Sequence, residues 1–76
     1  MNLYKISQDK NNDYDTYDSA VVCAKDKWEA ISVHPSEGSK WDDSSWCRKE
    51  DVQVEFIGTA GRGIKRGVIV ASFHAG

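Results

Sequence analysis

The last two apolar segments restrict the architecture of this chain more than any other feature. Segment 51–60 alternates, with Val52 and Val54 on one side and polar residues between them, which is typical of a strand with one buried face. Segment 67–74 carries apolar side chains at both parities, which predicts a strand covered on both faces. Such a strand belongs to a sheet that has a helix on one face and a further layer on the other.

Three further elements precede these strands. Residues 1–8 are predicted to form a strand, and the short apolar run 19–24 suits a central strand. Asp26 followed by Glu29 is a capping box, which predicts the start of a helix of about two turns. Pro35 is expected to end that helix, because the residue before a proline avoids the helical conformation.

The order of these elements predicts an α+β fold. It is a single ββαββ domain over residues 1–76, with a four-stranded, mainly antiparallel sheet and one short helix. Residues 61–67 contain three glycines and are expected to form a hairpin between the last two strands. One short helix cannot cover both faces of the sheet, and a domain this small buries only about 60% of its unfolded surface. A homo-oligomer, a dimer or tetramer, is therefore expected.

The charge balance and the apolar runs exclude some classes of function. The net charge is −2, with 10 basic and 12 acidic residues, which argues against binding long nucleic acid. No apolar run approaches 18 residues, so no membrane span is expected. Residues 1–8 are too short and polar for a secretory signal, and we expect a cytosolic protein with reduced thiols.

The cysteines and histidines are the residues to examine for a metal site. Zinc binding would need Cys23, Cys47, His34 and His74 to converge, and the CxxC and HxxxH spacings are missing. The simpler interpretation makes Cys23 a small buried apolar residue. It places the histidines at exposed ends of the helix and the last strand.

Two other patterns are weak signs of chemistry. Cys47 precedes Arg48, whose charge would lower the pKa of the thiol, but no pattern supplies a base or an oxyanion hole. Gly58–Gly63 resembles a phosphate loop without the GK[ST] ending, and a flexible turn explains it more simply. Backbone N–H groups beside Arg62 and Lys65 could still hold a small anion. No enzyme activity and no cofactor are predicted.

Aromatic side chains are the strongest signal for binding. Trp28 and Phe56 are expected in the core. Four others lie in predicted loops, namely Tyr14, Tyr17, Trp41 and Trp46. Loop aromatics stack on nucleobases, anchor protein interfaces, or form a small auxiliary core under the long loop. The sequence leaves these three alternatives open.

The segment YDTYDS, residues 14–19, joins aromatic and acidic side chains in a predicted turn. Asp15 and Asp18 can accept backbone N–H groups and shape an Asx-turn, from which the tyrosines would project. A purine stacked on a tyrosine there could donate its exocyclic amine to an aspartate. This is a hypothesis about one ligand class.

Several short motifs spread over nearly the whole chain belong together. They are YDTYDSAVV at 14–22, Trp46-Cys47, Asp51-Val52, Val54-Glu55, Gly58, Gly67-Val68-Ile69, Ala71-Ser72-Phe73 and Ala75-Gly76. In this combination the chain resembles a widespread family of small phage-encoded proteins of similar length. It departs from that family at His74, where an asparagine is more usual, so the ligand may be chosen differently if that position touches it.

The resemblance implies a phage anti-defence protein of the anti-CBASS type, working in the host cytoplasm. Such proteins are non-enzymatic sponges, oligomers that sequester a cyclic di- or trinucleotide signal at subunit interfaces without cleaving it. The candidate ligand-binding residues are Tyr14, Tyr17 and Trp46 for bases, Arg48, Arg62 and Lys65 for phosphates, Asp15, Asp18 and Ser19 for base edges, and His74. The alternatives are a phage protein that inhibits a host protein by direct contact, of the anti-CRISPR or host-takeover type, and an accessory structural protein.

Overall fold

The fold is an antiparallel four-stranded sheet with one short helix against it. The computed structural model describes residues 1–12, 15–37 and 41–74. Its elements are β1 (Asn2–Ser7), β2 (Thr16–Ala24), α1 (Lys27–Ile31), a 3-10 turn (Lys49–Asp51), β3 (Gln53–Thr59) and β4 (Gly67–His74). The predicted α+β class and the ββαββ order are confirmed.

The strand order in the sheet is β3-β1-β2-β4, and each neighbouring pair is antiparallel. The apolar run 19–24 is therefore part of a central strand, as predicted. β2 begins earlier than expected, at Thr16, and a register shift between Tyr17 and Ser19 makes Asp18 a bulge residue. Extra residues of this kind bend the strand and increase its twist.

The predicted hairpin between the last two strands is wrong. β3 and β4 form opposite edges of the sheet, so the segment between them crosses the ends of β1 and β2. Ala60 N–H donates to the Met1 carbonyl at 2.9 Å on the way. The distance to cross is three inter-strand spacings, about 14 Å, and seven residues reach that easily. The glycines signalled a turn without specifying which strands it joins.

Helix α1 is capped as predicted but is shorter than two turns. Asp26 Oδ1 accepts from Glu29 N–H at 2.9 Å, and Glu29 Oε1 in turn accepts from Lys25 N–H at 3.1 Å. The helix ends at Ile31, well before Pro35. With five residues, α1 presents a single buried side chain, Ala30, to the sheet.

The core lies between the sheet and the side that carries α1. Its buried members are Tyr4, Ile6, Ala20, Val22, Ala24, Ala30, Trp46 and Cys47. The predicted core positions of Trp28 and Phe56 are wrong for a single chain, since these side chains are 68% and 58% exposed. Cys23 is fully buried, as predicted, and is a free thiol. None of the helices in the described part of the chain is long and apolar enough to cross a membrane.

β4 departs most from its expected environment. Its sequence predicts burial on both faces, but it is an edge strand, and Ile69, Val70 and Phe73 are 47%, 60% and 47% exposed. The further layer that would cover it is not among the described residues.

Candidate binding surface

The sheet face directed away from α1 carries no other described element, and we call it the open face. The register places the same-side partners Lys5 and Val21, and Ser7 and Ser19, on it. The remaining members come from β1, β3 and β4 and are Leu3, Gln53, Glu55, Val70 and Ser72. The open face therefore combines an apolar strip, a row of small polar residues and one pair of opposite charges.

Lys5 stands between two shallow depressions on the open face. One, of about 160 Å³, is bounded by Ser19, Val21, Val70 and Ser72. The other, of about 280 Å³, is bounded mainly by residues of β1 and β3. Both fall below the roughly 300–1,000 Å³ of pockets that enclose drug-sized ligands. Neither depression alone could enclose a cyclic dinucleotide.

Aromatic rings are missing from the open face within the described residues. The aromatic contacts lie on the α1 side, where Tyr4 meets Phe56 with ring centroids 5.8 Å apart and Tyr17 meets Phe73 at 4.8 Å. Stacking of a nucleobase on an aromatic side chain therefore cannot take place on the open face of a single chain.

The YDTYDS segment forms the turn into β2. Tyr14 lies outside the described residues. Asp15 has a left-handed φ of 63°, which aspartate tolerates, and its N–H donates to the His74 carbonyl at 2.6 Å. Tyr17 is half-buried, with its ring against Phe73 and, at 6.3 Å, against His34. The second tyrosine thus packs internally and does not project from the turn. Asp15, Tyr17, Asp18, Ser19 and His74 do lie close together, at one end of the β2–β4 pair.

Trp46 cannot act as a stacking platform in this conformation, which corrects its predicted role. Its side chain is fully buried in the core, and its Nε1 has no hydrogen-bond partner among the described residues. Trp41 is half-buried, and its Nε1 donates to the Cys47 carbonyl at 2.8 Å. Of the three interpretations of the loop aromatics, the auxiliary core describes Tyr17, Trp41 and Trp46 best.

The candidate phosphate ligands lie at opposite ends of the sheet. Arg48 precedes β3 and pairs with Glu50 at 3.4 Å, with both side chains largely exposed. Arg62 and Lys65 follow β3, in the crossing segment. The length of β3 separates the two groups by about 20 Å at roughly 3.3 Å per residue. One chain therefore does not bring Arg48 together with Arg62 and Lys65.

Cys47 is not an activated thiol, contrary to the effect expected from Arg48. Burial, followed by the charges of Asp51, Asp43 and Glu50, raises the pKa of Cys47 to about 11. The thiolate, which is the reactive form, is therefore scarce at neutral pH.

His34 is buried, not exposed at the helix end as expected. Its Nε2 lies 2.8 Å from the Asp42 carbonyl, and its Nδ1 accepts from Ser36 N–H at 3.1 Å. The Trp41 ring meets the imidazole edge-on at 5.2 Å. Within the described ranges, no three His, Cys, Asp or Glu side chains are grouped so that they could hold a metal ion.

Sequence reasoning missed the polar side chains that hold the long loop. The Asn11 side-chain amide donates to the carbonyls of Asp43, Ser44 and Trp46 at 3.3, 3.0 and 3.0 Å. Gln8 Nε2 donates to the carbonyls of Asn11 and Tyr17 at 2.7 and 3.1 Å. These contacts join residues far apart in the chain, so no local pattern indicates them. Lys5 and Ser72 were also missed as members of a surface.

Known proteins add no further guide to this surface. Compared with protein families, curated proteins and solved structures, the chain shows no significant match. The function must therefore be argued from the surface and the packing.

Proposed function

We propose that this protein is a non-enzymatic binding protein that acts by direct contact of its open face with another protein. The observation that carries the proposal is that this face has no covering layer in the described structure. Val70 is 60% exposed there, and Val21 is only partly covered. Apolar side chains left exposed on a sheet face mark a surface that another molecule covers.

The composition of the open face indicates the chemistry of the partner. Interfaces between proteins have an apolar centre and a polar rim. The strip of Leu3, Val21 and Val70 supplies the apolar part, and Lys5 lies beside Glu55, its cross-strand partner. A matching partner is a folded protein with a flat apolar patch and adjacent charges of both signs, placed to meet Lys5 and Glu55.

The size of the face limits the affinity of a single chain. Four strands about 4.8 Å apart and roughly six residues long give a face of roughly 400 Å². Stable interfaces bury about 800 Å² on each partner. We therefore expect one open face alone to bind weakly.

Sequestration of a cyclic nucleotide by a phage protein in the host cytoplasm is the second candidate, and one observation favours it. The Lys5 ammonium stands beside a depression lined by the hydroxyls of Ser19 and Ser72, a group of donors suited to a phosphate. In this proposal a second copy must supply the aromatic rings and complete the pocket, because one open face has no aromatic ring.

The test compares two charge insertions at exposed apolar positions. Val70→Glu changes the open face, whereas Ile64→Glu, the matched control, changes the crossing segment, where Ile64 is 42% exposed. A protein captured from a bacterial lysate by the wild type is purified, and its dissociation constant is measured with each variant. We expect Val70→Glu to weaken binding at least about 30-fold, or roughly 2 kcal/mol, and Ile64→Glu to leave it within about threefold.

Equal binding by Val70→Glu and the wild type would contradict the proposal. Native mass spectrometry with a panel of cyclic di- and trinucleotides separates the two candidates. An intact nucleotide retained by the wild type and lost on Lys5→Ala would favour sequestration over protein binding.

A further inference from the structure

The two edges of the sheet differ in how they are protected against pairing with another strand. β3 carries Glu55, and its register shift leaves Ile57 as an extra bulge residue. A charge and a bulge are two common ways to protect an edge. β4 has no charged side chain from Gly67 to Phe73, and its own bulge, at Ile69, lies near its beginning. The half of β4 after the bulge is therefore regular, apolar and unprotected.

The backbone groups at this edge can be assigned from two hydrogen bonds. The His74 carbonyl accepts from Asp15 N–H and so faces β2. Residues alternate in an antiparallel ladder, so Ala71 and Phe73 direct their N–H and C=O groups to the outside. Near the start of the strand, Val68 N–H is bonded to the Glu37 carboxylate at 2.6 Å. The part of the edge open to pairing thus centres on Ala71 and Phe73.

We propose that β4 pairs antiparallel with β4 of a second copy of this chain, with the two-fold axis at Ser72. In this register Ala71 exchanges both backbone hydrogen bonds with Phe73 of the second copy, and the symmetric pair does the same. Four hydrogen bonds form, and the two sheets become one of eight strands. This inference does not rest on the proposed function, because it concerns the strand edge of the purified protein alone.

Self-complementarity identifies a second copy as the occupant. Ala71 and Phe73 both lie on the α1 side, where they pair with Ala20 and Tyr17. The large exposed Phe73 ring of one copy would lie over the small Ala71 of the other, twice. No charges of the same sign meet along Gly67–Phe73. Self-pairing of β3 would instead bring two copies of Glu55 together.

The pairing also accounts for the sequence of β4. In the dimer β4 becomes a central strand, which is the position that its apolar side chains at both parities predict. The two open faces become continuous, so the area offered to a partner doubles to roughly 800 Å². One strand edge buries less than a standard interface, and we expect a dissociation constant on the order of 1–100 μM.

Cysteine cross-linking tests the register. Across a two-fold axis at Ser72, the two Cα atoms of residue 72 would be about 4.5 Å apart, within the range that a disulfide spans. We expect Ser72→Cys to form a disulfide-linked dimer under mild oxidation, at least about tenfold faster than Glu55→Cys, the control on the other edge. Both variants keep Cys23 and Cys47, which are buried. Equal rates in the two variants would overturn the proposal.

Sedimentation at protein concentrations from about 1 to 500 μM tests the association itself. Wild-type protein that stays monomeric throughout would overturn the proposal. Ala71→Pro removes an outward N–H, and edge strands tolerate proline at such positions. We expect it to weaken the dimer at least about 30-fold without changing the far-ultraviolet circular dichroism of the monomer. If Ala71→Pro does not fold, the cross-linking comparison decides.

Discussion

Segment 41–48 and strand β4 have exchanged the environments that their sequences indicate. Segment 41–48 is rich in Asp, Ser and charged residues, yet it contributes Trp46 and Cys47 to the core. β4 is apolar and regular, yet Ile69, Val70 and Phe73 are about half exposed. The polar segment belongs to the interior of one chain, and the apolar strand is left for a partner.

Hydrogen bonding explains the first half of this contrast. A loop can be buried only if its backbone polar groups find partners. Asn11 takes three carbonyls of the loop, Trp41 Nε1 takes the Cys47 carbonyl, and Tyr17 N–H donates to the Ser45 carbonyl at 2.8 Å. β4 has the opposite condition, because its outer backbone groups and three large side chains lack partners within the described chain.

The contrast is tested most strongly by truncating one side chain in each region. Trp46→Ala should lower the free energy of unfolding by about 3–5 kcal/mol, because it opens a large cavity. Val70→Ala should change it by less than about 0.5 kcal/mol, as expected for an exposed site. Urea unfolding at low micromolar concentration, where a weak dimer dissociates, measures both. Similar losses in the two variants would show that β4 is as well packed in the monomer as the loop.

Trp46→Ala is expected to be largely unfolded, since a core of this size supplies only about 3–5 kcal/mol. Trp46→Phe is then the usable variant. It keeps an aromatic ring and removes an N–H that has no partner in the described structure. We expect it to fold, and with a smaller loss than Trp46→Ala.

The role of Asn11 in holding the loop gives the second prediction. Asn11→Asp replaces an amide donor with a carboxylate facing three carbonyls, and should lower the free energy of unfolding by about 2–3 kcal/mol. Asn12→Asp is the matched control, because Asn12 makes one long side-chain bond, to the Asp9 carbonyl at 3.5 Å, near the surface. Chemical denaturation measures both variants. An equal effect of the two substitutions would mean that charge, and not the Asn11 contacts, matters.

The junction between the helix segment and β4 gives the third. Gly67 has a φ of 122°, and a Cβ there would lie 3.0 Å from Glu37 Oε1, the atom that binds Val68 N–H. Gly67→Ala should lower the free energy of unfolding by about 1–3 kcal/mol through backbone strain and loss of this contact. Gly61→Ala, where a Cβ meets only Ile64 at 3.9 Å, is the control and should change little. Thermal unfolding of both variants provides the comparison.

Local patterns predicted the elements of the fold but not their arrangement. Alternation identified the strands, and the Asp26–Glu29 box identified the helix start, since both signals come from residues a few positions apart. The strand order was missed because a seven-residue segment between β3 and β4 can either turn back or cross the sheet. That error also explains the expectation that Arg48, Arg62 and Lys65 converge.

Burial of the loop could not have been predicted, because it depends on contacts between Asn11 and residues more than 30 positions away. Trp46 was consequently assigned to the surface. The apolar pattern of β4 remains informative. It predicts a covered strand, and the assembly proposed above would supply the cover that one chain does not.

The smallest effect expected is an acid sensitivity confined to the loop. The Asp42 carboxylate accepts from Ser44 N–H at 3.0 Å, from Ser44 Oγ at 2.6 Å and from Ser45 Oγ at 3.0 Å. The hydrogen bonds from Ser44 are the main cause that lowers the pKa of Asp42 below its ordinary value of 3.8. A carboxyl whose pKa is lower in the folded state contributes stability above its unfolded pKa and loses it as the pH falls through the folded pKa.

Acid should therefore loosen the loop before the strands. Between about pH 4 and pH 2, tryptophan fluorescence should change before the far-ultraviolet circular dichroism, since Trp41 and Trp46 are both in the loop. Ser44→Ala, which removes the Oγ donor at 2.6 Å, should make the loss begin at a higher pH because the pKa of Asp42 is then less depressed. Asp42→Asn should remove this part of the pH dependence. Coincident fluorescence and dichroism transitions in the wild type would show that loop and sheet unfold as one unit, and that the two regions differ in exposure but not in cooperativity.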